Sequence, residues 1–216
     1  MQIFGRKKGD AAEQSPSTRK DFEFVSEGTV YLDSACQTLR PQPVQDAMMK
    51  YFQEFNACGG RVKYDWGRRV DEAVEKTRKK VHEYGVAFTL NTTYGLNLLL
   101  SQLPVGAYQQ IVTSDIEHNS VFLPTLAAAK RLALPRRIIS RKEDGSLAYR
   151  TEDLSGAIVV VNVASNIDGR VLGNVRMLAD DLHKVGGILI LDGAQSMTDG
   201  AVVWHEADFD ALCFRS

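Results

Sequence analysis

The amino-acid sequence predicts an α/β protein: a three-layer, doubly wound, mostly parallel sheet. Three observations predict it. From residue 86 onward, short β-branched apolar runs alternate with stretches of helical periodicity, the pattern of successive strand–helix units. Two runs, Ala157-Ile158-Val159-Val160-Val161 and Ile188-Leu189-Ile190-Leu191, are continuously aliphatic, as strands buried on both faces are. A length of 216 residues is enough to bury the core such a sheet needs.

Composition narrows the class. Hydrophobic residues make up 44%, ordinary for a soluble globular protein. A formal net charge of −1 gives no reason to expect nucleic acid or an anionic membrane as partner. Cys36, Cys58 and Cys213 are too few and too scattered for a disulfide framework or a zinc site, so a reducing cytoplasm is the expected location. No apolar run approaches membrane-spanning length, and the first residues lack the apolar centre of a signal peptide.

Taken in order, residues 1–22 read as a disordered tail, polar and without periodicity, and residues 23–216 as one domain. Thr29-Val30-Tyr31-Leu32-Asp33 predicts a short strand. Pro41 and Pro43 mark the entry of a helix carrying Val44, Met48, Tyr51, Phe52 and Phe55 at helical spacing, which Cys58-Gly59-Gly60 ends. A second helix is predicted over 68–84, with Val70, Ala73, Val74, Thr77 and Val81 on one face and a charged, solvated face opposite. Six strands follow, near Val86, Ile111, Ile138, Ile158, Ile188 and Ala211. Helices are expected after Asn91-Thr92-Thr93, over 119–132 and over 175–185.

Several ligand classes fail on their motifs. No G-x-x-x-x-G-K-[ST] loop serves the strand ending at Asp192, and no G-x-G-x-x-G joins a strand to a helix. The histidines His82, His118, His183 and His205 make no metal-ligand spacing, and no G-x-S-x-G elbow is present. What remains is a set of polar residues where strands give way to loops or helices. Asp192 ends an aliphatic strand and Gln195 stands three residues on; ligands of open α/β sheets bind outside such carboxyl ends, although Asp-Gly is equally ordinary turn chemistry. Thr92 and Thr93 open a helix whose positive end suits a phosphate, or they merely cap it. His118 follows Glu117 at a strand exit. Asn166 ends the fourth strand in Ala164-Ser165-Asn166-Ile167-Asp168-Gly169, where a turn is again the alternative. Their conjunction on one sheet edge is more informative than any member.

Four pieces in order, Asn91-Thr92-Thr93-Tyr94-Gly95-Leu96-Asn97, Glu117-His118-Asn119-Ser120, Ala164-Ser165-Asn166 and Leu191-Asp192-Gly193-Ala194-Gln195, resemble the class V aminotransferase group of fold-type-I enzymes. That group includes cysteine desulfurases and selenocysteine lyases, and the likeness runs from Tyr31-Leu32-Asp33-Ser34-Ala35 to the last residue. The resemblance implies a pyridoxal 5'-phosphate cofactor, an amino acid substrate, C–S cleavage or amino transfer, and a homodimer in the complete protein. It implies that Asp192 keeps the pyridine nitrogen protonated and thereby sets the ring's power as an electron sink. His118 would stack on the ring and serve in proton transfer. Gln195 and Asn166 would lie near the phenolic oxygen, Thr93 and the backbone at Thr92 would bind the phosphate, and Ser216 would assist. The departures from the pattern are a Schiff-base lysine expected just past Ser216 and Arg215 where relatives carry a phosphate-binding serine. The chain is thus expected to be a partial large domain, incomplete at its C-terminus and inactive alone. The alternative is a non-catalytic relic or interaction protein with weak, noncovalent cofactor binding.

Overall fold

A computed structural model describes residues 18–60, 62–81, 85–196 and 208–214. The contacts divide the chain into two compact units, Met1–Ala87 and Phe88–Ser216. The expected tail up to residue 17, the C-terminal end of the second helix, His205, Arg215 and Ser216 lie outside the described residues.

In the first unit, residues 18–22 form a 3-10 turn, with the Arg19 guanidinium donating to the carbonyls of Val25 and Ser26. Helix α1 (Gln42–Glu54) has Pro at its start, where a missing N–H costs nothing. Helix α2 (Asp65–Val81) begins three residues earlier than the apolar spacing indicated. Arg69 joins the two helices, stacking 4.5 Å over the Phe55 ring and pairing with Glu54 at 3.2 Å. A Cβ at Gly67 would stand 2.8 Å from the Cys58 carbonyl and closer still to Val62, so these two residues approach α2 this closely only because that residue is glycine. Residues 29–33 form no strand, and Val30 and Leu32 are largely exposed. An apolar alternation makes a strand only where a neighbour completes the ladder, and none of the described residues pairs with this one.

The second unit is the sheet. Helix α3 (Thr92–Gln102) precedes strands β1 (Gln110–Ser114), β2 (Arg136–Ile139), β3 (Ala157–Asn162), β4 (Ile188–Asp192) and β5 (Ala211–Cys213). Helices α4 (Asn119–Leu132) and α5 (Val175–Lys184) connect them. All pairings are parallel, in the order β2-β1-β3-β4-β5. Among the described residues the sheet therefore has five strands rather than six. Within that same set, residues 86–90 join no ladder: a strand needs a partner edge, and β5, three residues long, pairs there with β4 alone.

Two cores follow from the two faces of the strands. Ile111, Ile158, Val160 and Ile190 face Leu96 and Leu100 of α3 and Val121, Ala128 and Leu132 of α4. Val112, Val159, Val161, Leu189 and Leu191 face Leu178 and Leu182 of α5 on the other side. Successive strand residues alternate between the two, so each strand is apolar throughout. The connection after β1 thus lies on one face and that after β3 on the other, which puts the topological switch point between these adjacent strands.

Candidate functional site

The carboxyl ends of the strands carry polar residues. Asn162 and Asp192 are direct partners in the β3–β4 ladder, and Asp192 pairs in turn with Cys213. By strand alternation all three stand on the face covered by α3 and α4. Asp192 is buried, at 3% exposure. Its Oδ1 accepts the Ala194 N–H at 2.9 Å, whereas Oδ2 has no hydrogen bond among the described residues. The turn chemistry of Asp-Gly and a free carboxylate oxygen thus coexist. Gly193 permits the turn: a Cβ there would stand 2.7 Å from Leu212 Cδ1. Burial pushes the Asp192 carboxyl above its ordinary range, opposed by the Ala194 N–H and by the nearness of His118.

Two helix N-termini face the same edge. Asn91 caps α3, its Oδ1 accepting the Tyr94 N–H at 2.8 Å. The N–H groups of Thr92 and Thr93 stand in the first turn, where no intrahelical carbonyl reaches them. The buried Thr92 hydroxyl has no hydrogen-bond partner among the described residues. His118 caps α4, its Nδ1 accepting the Ser120 N–H at 3.1 Å. That bond leaves the proton of a neutral His118 on Nε2, the ring's outer nitrogen. Ser120 Oγ lies 2.8 Å from His118 Nδ1 and 2.6 Å from Thr93 Oγ1, tying the two helix ends together.

The structure thus brings Thr92, Thr93, His118 and Asp192 to one edge. Gln195 follows in the turn after Asp192, half-buried. Asn166 is exposed in a loop closed by the Ala164–Val171 bridge and by Ser165 Oγ, which accepts from Ile167 N–H. β3 ends at Asn162, four residues earlier, so the polar residue at that strand exit is Asn162. Burial first and Asp192 second push the Cys213 thiol up to about 11, away from the thiolate form.

A buried network beside the site went unread in the sequence. β1 and β3 pair only as far as Val112 and Val159, then part. Into the gap come Glu117 and Arg141, both side chains fully buried, 3.5 Å apart. Glu117 accepts from the Ser114 hydroxyl through Oε1 and from the Asn162 N–H at 2.7 Å through Oε2. Arg141 donates to the Asn162 carbonyl, to Asn162 Oδ1 at 2.8 Å and to the Gly145 carbonyl at 3.2 Å. Burial raises Glu117 to about 7, against the pull of Ser114, Arg141 and Asn162, and Asp192 adds to the rise. The exits of β2 and β3, where Arg141 and Asn162 stand, were the signal available.

No described helix is long and apolar enough to cross a membrane, and the described residues hold no metal-ligating cluster.

Such a sheet, with helix N-termini and a buried carboxylate at its carboxyl edge, is a ligand-binding α/β architecture. The family model described as aminotransferase class-V matches residues 30–216, and the chain belongs to that family. A probable cysteine desulfurase of Methanothermobacter thermautotrophicus is 31% identical over 194 residues, 85% of this chain and 48% of that protein. The apo structure of a cysteine desulfurase from Thermococcus onnurineus NA1 superposes with a TM-score of 0.73 at 29% identity, covering 86% of this chain and 49% of that one. A C-DES mutant with glycine covalently linked to its PLP cofactor has the same fold, with a TM-score of 0.69 at 18% identity over 93% of this chain and 55% of that one. The chain spans about half the length of the curated relatives it matches.

Proposed function

We propose that this chain forms the amino-terminal part of a pyridoxal 5'-phosphate site in an enzyme that cleaves the C–S bond of cysteine. The observation that carries the reading is Asp192: a buried carboxylate whose second oxygen accepts no hydrogen bond among the described residues, at the same sheet edge as two helix N-termini. A buried anion of this kind is stabilised by a cation. A protonated pyridine nitrogen is one, and bound there the cofactor supplies an electron sink for bonds at the substrate's α-carbon.

The protein groups fit the rest of that ligand. Thr93, the Thr92 hydroxyl that lacks a partner and the first-turn N–H groups of α3 suit a phosphate. His118, held through Nδ1 by Ser120, can present an Nε2 proton over the ring face and move it to or from the substrate. Gln195 and Asn166 would serve the phenolic oxygen and Ser216 the phosphate. The names of the relatives support cysteine as substrate, and a homodimer and a cytoplasmic location belong to the same proposal.

The described lysines of the sheet unit are Lys130, Lys142 and Lys184, and none stands beside Asp192. Lys130 and Lys184 lie in the last turns of α4 and α5. Lys142 follows β2, three strands from β4 and so roughly 14 Å away by strand spacing. We therefore propose that the isolated 216-residue polypeptide binds the cofactor noncovalently and weakly and does not turn over.

The test is to titrate pyridoxal phosphate into the 216-residue chain and into the full-length protein, treat both with borohydride, and locate the fixed cofactor by mass spectrometry. Sulfide release from cysteine is assayed in parallel. Labelling and sulfide release confined to the full-length protein are expected. Single-site labelling of the 216-residue chain with turnover would contradict its proposed inertness. No binding by either would sink the cofactor assignment.

A further inference from the structure

We propose that Glu117 and Arg141 are positioning residues for this site: by filling the split between β1 and β3 they hold His118 and Asp192 at their working separation. The inference rests on the cofactor reading above. Its starting point is the backbone of β3. Once β1 has parted from β3 after Val112, the N–H and C=O of Asn162 have no strand to bond. At a topological switch point this gap is ordinarily the open crevice that receives a ligand. Here two side chains take the place of the missing strand. Glu117 accepts the Asn162 N–H, and Arg141 donates to the Asn162 carbonyl and Oδ1. The remaining donor, Asn162 Nδ2, reaches the Ile116 carbonyl at 3.0 Å.

Every polar atom of Asn162 is thereby tied to the turn between β1 and α4 or to Arg141. Arg141 is itself fixed, its N–H donating to Asp115 Oδ1 at 2.9 Å in that same turn. Glu117 immediately precedes His118, the cap of α4, and Asn162 is the ladder partner of Asp192. A continuous path therefore runs from the imidazole through Glu117 and Asn162 to the carboxylate. None of its intermediate groups needs to touch a ligand. Both Glu117 oxygens are engaged and Arg141 stands beside them, which leaves Asp192 as the carboxylate available to a bound cation.

The experiment uses the full-length protein freed of cofactor, with histidine labelled for NMR and the His118 ring signals assigned through His118→Gln. Variants are Arg141→Met, Glu117→Gln and the conservative Arg141→Lys. Leu182→Ala, in the core under α5, serves as an equally destabilised control remote from the site. Arg141→Met should shift or broaden the His118 ring signals and weaken pyridoxal phosphate binding by roughly tenfold or more. Glu117→Gln should act in the same direction and less, since an amide keeps one acceptor oxygen, and Arg141→Lys should recover part of the loss. Leu182→Ala should leave both readouts within about twofold of the parent. If Arg141→Met lowers the melting temperature while its ring signals and affinity match Leu182→Ala, the pair is only structural and the inference is overturned. Should Arg141→Met not fold, Glu117→Gln carries the same comparison. Should the parent protein fail to bind the cofactor, that failure belongs to the functional reading. The ring signals then decide the inference alone, unmoved signals overturning it and moved ones supporting it.

Discussion

Glu117 and Asp192 are two buried carboxylates at the same edge of one sheet, in opposite surroundings. Glu117 fills the gap between β1 and β3 with both oxygens engaged by Ser114 and Asn162 and a guanidinium beside it. Asp192, at the end of β4, uses one oxygen in its own turn and leaves the other free among the described residues. A satisfied buried charge is architecture, because its hydrogen bonds replace the water it lost. An incompletely satisfied one carries a standing cost that a ligand can relieve. The difference separates a residue that shapes the edge from one that can do chemistry there.

The comparison is broken most sharply on stability. Measured at about pH 8, above the value of about 7 to which burial raises Glu117, Arg141→Met removes the cation beside the ionised carboxylate and should cost about 3–5 kcal/mol in urea unfolding of the apo protein. Asp192→Asn removes a charge with no ion-pair partner among the described residues, and the amide oxygen can still accept the Ala194 N–H, so it should alter the same measurement by less than about 1 kcal/mol. Equal losses would erase the distinction.

The pH dependence comes next. Glu117 has a folded pKa of about 7 against an ordinary 4.5. Between those values the folded state holds a proton that the unfolded state has released, so stability falls as pH rises. The contribution is fully present below pH 4.5, is lost as pH rises through 7, and amounts to about 3 kcal/mol. Glu117→Gln should flatten most of that slope in unfolding curves recorded across the window. The part that persists belongs to Asp192, whose folded pKa is raised in the same sense.

The smallest effect concerns Thr92. Its hydroxyl is buried without a partner, so Thr92→Val should leave apo stability unchanged or raise it by about 1 kcal/mol. Pyridoxal phosphate affinity should fall by roughly three- to tenfold, the worth of one hydrogen bond to a charged group. A clear loss of stability would mean that the hydroxyl has structural work independent of any phosphate.

What the sequence disclosed of this edge follows from how local each signal is. Asp192, His118 and Thr92 each follow directly from an aliphatic run or open a helix, so periodicity alone puts them at element ends. The same rule points to Arg141 after β2 and Asn162 after β3. The Asn-Ile-Asp-Gly turn drew attention to Asn166, which stands four residues beyond the end of β3 in an exposed loop. The network itself has no local signature. Glu117, Arg141 and Asn162 lie 21 to 45 residues apart along their hydrogen bonds, and what unites them is where two strands cease to pair. Residues 86–90 failed in the opposite sense. Their composition suits a strand, but composition does not supply the neighbouring edge.

The most direct measurement is cofactor affinity in three full-length proteins: the parent, Asp192→Asn and Glu117→Gln, titrated with pyridoxal phosphate and followed by absorbance. Loss of a buried charge-assisted hydrogen bond is worth about 2–3 kcal/mol, so Asp192→Asn should bind roughly 30- to 150-fold more weakly. Glu117→Gln should lose clearly less. Binding by Asp192→Asn within about threefold of the parent, with Glu117→Gln the weaker of the two, would contradict the assignment of Asp192 as the carboxylate that meets the cofactor.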